Sequence, residues 1–130
     1  IIEATHYKQV LELFEAEQSA YWLSHYRFGV KSKTAVPPLG ESSIQNVVIN
    51  TVVPLLVAYG KIHDESSYLE LATDLLQNLP AENNKIIRQW LALNKNVKTA
   101  FDSQALIELY KNFCMKRRCL ECGVGSWLIK

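Results

Sequence analysis

Three cysteines near the end of the chain form the most specific chemical pattern in the sequence. Cys114, Cys119 and Cys122 have the spacing Cys-x4-Cys-x2-Cys and lie within the last 17 residues. A two-residue gap lets two thiolates hold one metal ion from a tight turn, and a third thiolate from a preceding helix end adds another corner of a tetrahedron. The pattern is therefore a candidate site for zinc or an iron-sulfur cluster.

The fourth metal ligand is absent from this local motif. It could come from His6, His25 or His63, from a carboxylate, from another part of a longer protein, or from an exchangeable ligand. Two other interpretations of the cysteines stay open. The last two could form a redox dithiol or a disulfide, and all three could be structural thiols that pack as small apolar side chains. An odd number of cysteines crowded at one end suits a secreted disulfide fold poorly, so the sequence predicts a cytoplasmic setting.

The charges of the chain are unevenly distributed along it. The formal net charge is +1, from 14 bases and 13 acids, but residues 61–82 sum to −4 and residues 83–100 to +4. The basic half continues through Lys111 to the run Lys116, Arg117 and Arg118, beside the cysteines. These four side chains are candidate contacts to nucleic acid or another anion. The alternative is that they pair with the acidic segment or stay solvated.

A third group of polar side chains is a candidate pocket. It comprises His25, Arg27, Asn46 and Asn50. The two asparagines are four residues apart and so share one helix face, where they could line a site for a small anionic substrate or fix a loop onto the core. No glycine-rich phosphate loop, His-Glu-x-x-His motif or nucleophile elbow occurs in the sequence. We therefore assign no catalytic residue.

The hydrophobic periodicity predicts an all-α fold, a compact bundle of five to six helices around a central buried helix. We expect the central helix over about 43–59, between a capping box of Ser42 with Gln45 and a terminating Gly60, with a kink at Pro54. The other predicted helices are about 6–18 with Thr5 as cap, one capped by Asp64 or Ser66 with an apolar stripe from Tyr68 to Leu79, one opened by Asn83 or Asn84, one capped by Asp102, and Leu120 to Ile129.

Length and composition favour one helical domain over residues 1–130. The chain has 130 residues, and 48% of them are hydrophobic, which suffices for a core. It begins with Ile1 rather than Met, so we expect it to be a piece of a longer protein. Its longest apolar stretch, Ile44 to Tyr59, is interrupted by Pro54 and polar residues, and this predicts a core helix rather than a membrane span.

Five stretches of the chain resemble one family. They are YWLSHYRFGV from Tyr21 to Val30, LGESSIQNVVINTVVPLLVAYGK, LPAENNKIIRQW, AFDSQALIELYKNFC and RCLECGVGSWLIK. Together, from about Tyr21 to Lys130, they are similar to the carboxy-terminal part of a bacterial family catalogued as domain of unknown function 2851. The resemblance implies a longer protein with a preceding region similar to restriction endonucleases. The family has no established activity, so it assigns no site residue here.

The leading hypothesis is a non-catalytic helical domain of a larger protein. It would present its basic face to nucleic acid or to the preceding domain of that protein, with the cysteines holding a stabilising metal in one version. The rival is an enzyme or binding pocket for a small anionic substrate near His25 and Asn50, and the third hypothesis is a scaffold.

Overall fold

The computed structural model describes residues 3–15, 17–93 and 96–129. In these ranges the chain is mostly α-helical, with a single two-stranded sheet, which confirms the predicted fold class. Two compact units can be distinguished, Ile1–Leu75 and Leu76–Lys130. One domain over the whole chain stays a prediction.

The first unit contains a short helix, a hairpin and a long helix followed by another. Its elements are α1 (Tyr7–Glu12), β1 (His25–Arg27), β2 (Val30–Lys31), α2 (Glu41–Val47), a π-helical turn (Val48–Val52), α3 (Val53–His63) and α4 (Ser66–Asn78), which contains the unit boundary. The antiparallel hairpin pairs His25 with Lys31 and Arg27 with Val30, with an irregularity between the two pairs.

The first helix is shorter than predicted and is capped differently. It ends at Glu12 instead of about residue 18, and the side chain of its N-cap residue, His6, makes no capping hydrogen bond. The Thr5 hydroxyl donates to the Gln9 side chain and so does not cap the helix. Instead, the Tyr7 backbone N–H donates to a carboxylate oxygen of Asp74 at 3.0 Å, so a distant acid supplies the acceptor that the first turn needs.

The disturbance expected at Pro54 takes the form of a π-helical turn. Val48–Val52 joins α2 to α3, and the Val53 backbone N–H donates to the Val48 carbonyl, five residues back. A proline cannot donate to the carbonyl four residues before it, so the wider turn directly before Pro54 accommodates the missing bond. The helix thereby continues from Glu41 to His63.

Both predicted ends of this helix are wrong in detail. Gly40 is the N-cap, and Gln45 donates to Glu41 at 3.1 Å rather than completing a capping box with Ser42. Gly60 lies inside α3 and is buried, and the helix ends at Asp64, which has a left-handed backbone with φ 56°. The Glu65 N–H donates to the Gly60 carbonyl at 2.9 Å, the bond that closes a Schellman cap.

The long helix is buried along one face only. Its buried residues are Val48, Ile49, Val52, Val53, Leu56 and Gly60, whereas Leu55 and Ile62 are exposed. Within the described ranges, Glu41–His63 is the one helix long and apolar enough to cross a membrane by length and composition, and 33% of its most apolar stretch is buried. The core helix of a soluble protein can meet the same criterion, so the absence of a membrane partner stays a prediction.

In the described residues of the second unit, the end of α4 is followed by three helices and two irregular helical turns. After α4 they are α5 (Lys85–Ala92), α6 (Ala100–Leu109), a π-helical turn (Tyr110–Cys114), a 3₁₀ turn (Cys119–Glu121) and α7 (Gly123–Ile129). Asn84 caps α5 as predicted, since its side chain accepts the Ile87 N–H at 3.0 Å. The cap of α6 is Thr99 rather than Asp102, which instead completes the capping box from inside the helix.

Candidate functional site

The three cysteines lie in different local structures. Cys114 ends the π-helical turn, Cys119 begins the 3₁₀ turn, and Cys122 follows it. All three are free thiols; Cys114 and Cys119 are exposed, whereas Cys122 is buried. Among residues 3–15, 17–93 and 96–129, no three side chains of His, Cys, Asp or Glu are placed to hold a metal ion. The predicted zinc or iron-sulfur ligands are thus not brought together.

The basic run closes the helix that carries Cys114. Arg117 has a left-handed backbone, φ 54°, and its N–H donates to the Cys114 carbonyl at 3.1 Å. The Arg118 N–H donates to the Phe113 carbonyl at 2.9 Å. These two bonds form a Schellman motif, with Arg117 at the position that usually holds glycine. Arg117 and Arg118 therefore form the end of a helix. The negative end of the helix dipole favours cations at this position.

The last helix packs closely onto the turn that carries Cys119. A Cβ added at Gly125 would meet the Cys119 carbonyl oxygen, and it would lie 3.0 Å from the Cys119 Cα. The Gly125 N–H donates to the Cys122 sulfur at 3.5 Å. Glycine at this position thus lets α7 approach the 3₁₀ turn. The buried sulfur of Cys122 acts as a hydrogen-bond acceptor.

The four carboxylates of the second unit all have hydrogen-bond partners within it. Asp102 accepts the N–H groups of Lys98 and Thr99, and these bonds hold the pKa of its carboxyl below the ordinary value. Glu108 accepts from Asn112 at 2.6 Å, and Glu121 pairs with Arg118. That pair lowers the pKa of Glu121 and raises the pKa of Arg118.

The fourth carboxylate, Glu82, belongs to a network that the sequence did not indicate. The Ser103 hydroxyl lies 3.3 Å from Oε2 of Glu82, and Gln104 donates to the same oxygen. Ser103 is fully buried, and the Glu82 N–H donates back to its hydroxyl at 3.3 Å. Since Glu82 and Ser103 are 21 residues apart, only the fold brings them together.

The four bases predicted to contact an anion differ in whether their side chains have partners in the structure. The guanidinium of Arg118 is held by Glu121 and lies 5.5 Å from the centre of the Phe113 ring. Lys116, in the turn after the helix, donates to the Asn112 side chain at 2.7 Å. Lys111 and Arg117 are exposed, and their side chains have no partner among the described residues. Arg118 thus has a structural role. The other three bases have no acidic partner in the described ranges, so their charges remain available to an anion.

In the described part of the chain, no hydrogen bond, ion pair or ring contact joins His25 or Arg27 to Asn46 or Asn50. The side-chain amide of Asn50 donates to the Asn46 carbonyl at 3.0 Å, and both asparagines are exposed. His25 and Arg27 belong to β1 of the hairpin instead. Two cavities of the first unit, about 300 and 410 Å³ in volume, are lined by other residues. The proposed small-anion site thus gains no support from the geometry.

The larger departure from the sequence-based expectations is the hairpin itself, because the predicted all-α fold contains no strands. Tyr21 stacks on His25 with ring centres 4.0 Å apart, and the Tyr21 hydroxyl accepts the Gly29 N–H at 2.8 Å. Gly29 has φ 71°, the left-handed conformation that a tight turn here requires. Glycine after an aromatic run was a usable turn signal. The ring contacts could not be derived from spacing.

Fold and site together define a mostly α-helical protein with a basic second unit and an aromatic hairpin in the first. The chain belongs to the family described as Protein of unknown function (DUF2851), whose model matches residues 1–85. This confirms the family but corrects the extent of the resemblance, which was expected from about Tyr21 to Lys130. The match includes the hairpin and the long helix, and it ends before the cysteines. No curated protein and no solved structure matches the chain.

Proposed function

We propose that the chain is a non-catalytic domain of a larger protein and that its second unit, Leu76–Lys130, binds the phosphate backbone of nucleic acid. The supporting observation is that the unit's carboxylates are satisfied internally, and only Glu121 is paired with a cation in the described part of the chain. A hydrogen-bonded carboxylate keeps its charge, but four acids offset at most four of the nine bases of the unit, which leaves an excess of positive charge.

The division into units sharpens the charge asymmetry seen in the sequence. Residues 76–130 carry nine bases and four acids, a net charge of +5, whereas residues 1–75 carry five bases and nine acids, a net charge of −4. A unit with this excess of positive charge attracts polyanions and releases their counterions on binding. The neutral total of the chain conceals this property.

Helix α6 continues into the π-helical turn that ends at Cys114, and this helix end is the best candidate for contact with phosphates within the unit. Lys111, Lys116 and Arg117 are exposed there, and Arg118 braces the turn through Glu121. Contacts of this kind read the phosphate backbone rather than base sequence, so we expect weak sequence preference. An acidic surface of the preceding domain of the longer protein is the competing ligand for the same bases.

The test is a salt titration of binding to a labelled 20-base-pair DNA duplex, followed by fluorescence anisotropy. The triple variant Lys111→Gln, Lys116→Gln, Arg117→Gln removes three charges and keeps the Arg118–Glu121 pair. The slope of log affinity against log salt should then fall by about 3 × 0.9 if each base contacts one phosphate. The double variant Lys8→Gln, Lys61→Gln in the first unit is the control, and it should leave the slope unchanged. An unchanged slope in the triple variant would contradict the proposal.

A further inference from the structure

We propose that the hairpin of the first unit is a separate site for single-stranded nucleic acid, in which Phe28 and Tyr26 stack on bases and Arg27, Lys31 and Lys33 contact phosphates. This site lies in residues that the family match includes and is independent of the bases in the second unit.

Large aromatic surfaces are exposed on this hairpin. Phe28 is 81% exposed and Tyr26 is 67% exposed, and the neighbouring Val30 is also exposed. Leaving such rings in water forgoes the free energy that their burial would contribute. Adjacent exposed aromatic side chains on a monomer commonly mark a binding surface. The hairpin is therefore better explained by a ligand that covers its rings than by folding.

The exposed ring of Phe28 and the turn beside it are held in place by contacts behind them. The Trp22 ring meets Phe28 edge-on, with centres 4.9 Å apart. The Tyr21 ring stacks on His25, and the Tyr21 hydroxyl bonds the turn at Gly29. A preorganised platform loses little conformational entropy when a ligand arrives, which favours stacking at fixed ring angles.

Cations, but no acids, lie close to these rings in the sequence. Residues 18–40 contain Arg27, Lys31 and Lys33 but no Asp or Glu. None of the three has a carboxylate partner in the ranges 3–15, 17–93 and 96–129. Within a unit whose net charge is −4, this segment is thus a local positive region.

Rings interleaved with unpaired cations match the chemistry of a single strand. Unpaired bases offer exposed π faces to aromatic side chains, while the phosphates between them meet Lys and Arg. In a duplex those faces are covered by neighbouring base pairs, so the aromatic side chains would find few bases to stack on. An anionic lipid surface also attracts aromatic and basic residues, but the net charge of −4 of this unit opposes its approach to an extended anionic plane.

The experiment compares 20-nucleotide oligo(dT), oligo(U) and a 20-base-pair duplex as anisotropy probes for the full chain. Phe28→Ala should weaken binding of the single strands about 10-fold, the order expected for the loss of one stacked base, and leave duplex binding unchanged. Phe28→Trp should retain the affinity. Ile62→Ala, at a side chain of similar exposure, 79%, is the matched control and should have no effect. The DNA and RNA arms show which strand chemistry is preferred.

The two proposals fail in distinguishable ways. If the second unit does not bind nucleic acid, the triple variant there changes nothing, while Phe28→Ala still weakens the single-strand signal. If Phe28→Ala leaves single-strand affinity unchanged, or weakens duplex binding equally, the stacking site is contradicted. Binding to vesicles of anionic lipid that requires Phe28, without single-strand binding, would overturn it in favour of a lipid surface. Because Phe28 is so exposed, circular dichroism should show an unchanged fold in each variant.

Discussion

The guanidinium of Arg118 lies 5.5 Å from the centre of the Phe113 ring, and its backbone N–H donates to the carbonyl of the same residue. Schellman caps commonly carry a hydrophobic contact between these two positions, and here a cation over an aromatic ring takes its place. Arg118 is further fixed by Glu121. A run of bases that looked like a ligand site in the sequence is thus partly the end of a helix.

Replacing Arg117 by glycine should stabilise the second unit. Arg117 has φ 54°, a conformation that costs a residue with a side chain about 1 kcal/mol relative to glycine. Arg117→Gly should therefore raise the free energy of unfolding by about 1 kcal/mol, measured by urea denaturation. Ala105→Gly, in the exposed part of α6, is the control and should lower it by a similar amount. A loss of stability in Arg117→Gly would show that the side chain makes an important contact.

The Asp102 carboxylate should make the stability of α6 depend on pH. Its pKa is lowered chiefly by the N–H groups of Lys98 and Thr99. A lowered folded pKa means that its contribution is present above the unfolded pKa of about 3.9 and is lost as pH falls through the folded value. Asp102→Asn should thus cost about 1 kcal/mol at pH 7 and progressively less below pH 4.

The measurement is urea denaturation of the wild type and Asp102→Asn from pH 7 to pH 2. Glu108→Gln changes a carboxylate in the same helix while leaving the capping box intact, and it is the control. A difference between wild type and Asp102→Asn that stays constant across this range would contradict a role for the charge.

Gly60 should resist substitution although it lies within a helix. A Cβ there would lie 2.9 Å from the Glu65 carbonyl oxygen and 3.1 Å from the Tyr68 Cβ. Alanine normally favours a helix by about 1 kcal/mol, but displacing backbone in a packed turn costs about 1–3 kcal/mol. Gly60→Ala should lower the melting temperature. Gly123→Ala, which meets no atom within 4 Å, should leave it unchanged or raise it.

The features that were predicted correctly from the sequence are those that depend on residues close together along the chain. The cap at Asn84 and the apolar stripe of α4 follow from short-range hydrogen bonding and apolar spacing. The role of Gly60 was mistaken because the close approach of Tyr68 is a tertiary contact that no local pattern encodes. The same limit applies to α1, whose first N–H is bonded by Asp74, 67 residues away.

The candidate site was less predictable than the fold. Cysteine spacing suggested proximity, but the left-handed turn at Arg117 and the 3₁₀ turn redirect the chain between Cys114 and Cys122. The aromatic residues of the hairpin were noticed as a group, but their exposure depends on the strand pairing of His25 with Lys31. Spacing limits which side chains can meet, whereas turn geometry decides which of them do.

The three thiols should react at two different rates. Cys114 and Cys119 are exposed, whereas Cys122 is 6% exposed and accepts the Gly125 N–H. Since a thiol reagent must reach the sulfur, the native chain should release two equivalents rapidly from Ellman's reagent and a third only slowly or on unfolding. Cys114→Ser and Cys119→Ser should each remove one rapid equivalent and leave the slow one. Zinc bound by all three cysteines would instead protect them together at one ion per chain, with one to three thiol protons released. That result would show that the ion draws together side chains which the structure keeps apart.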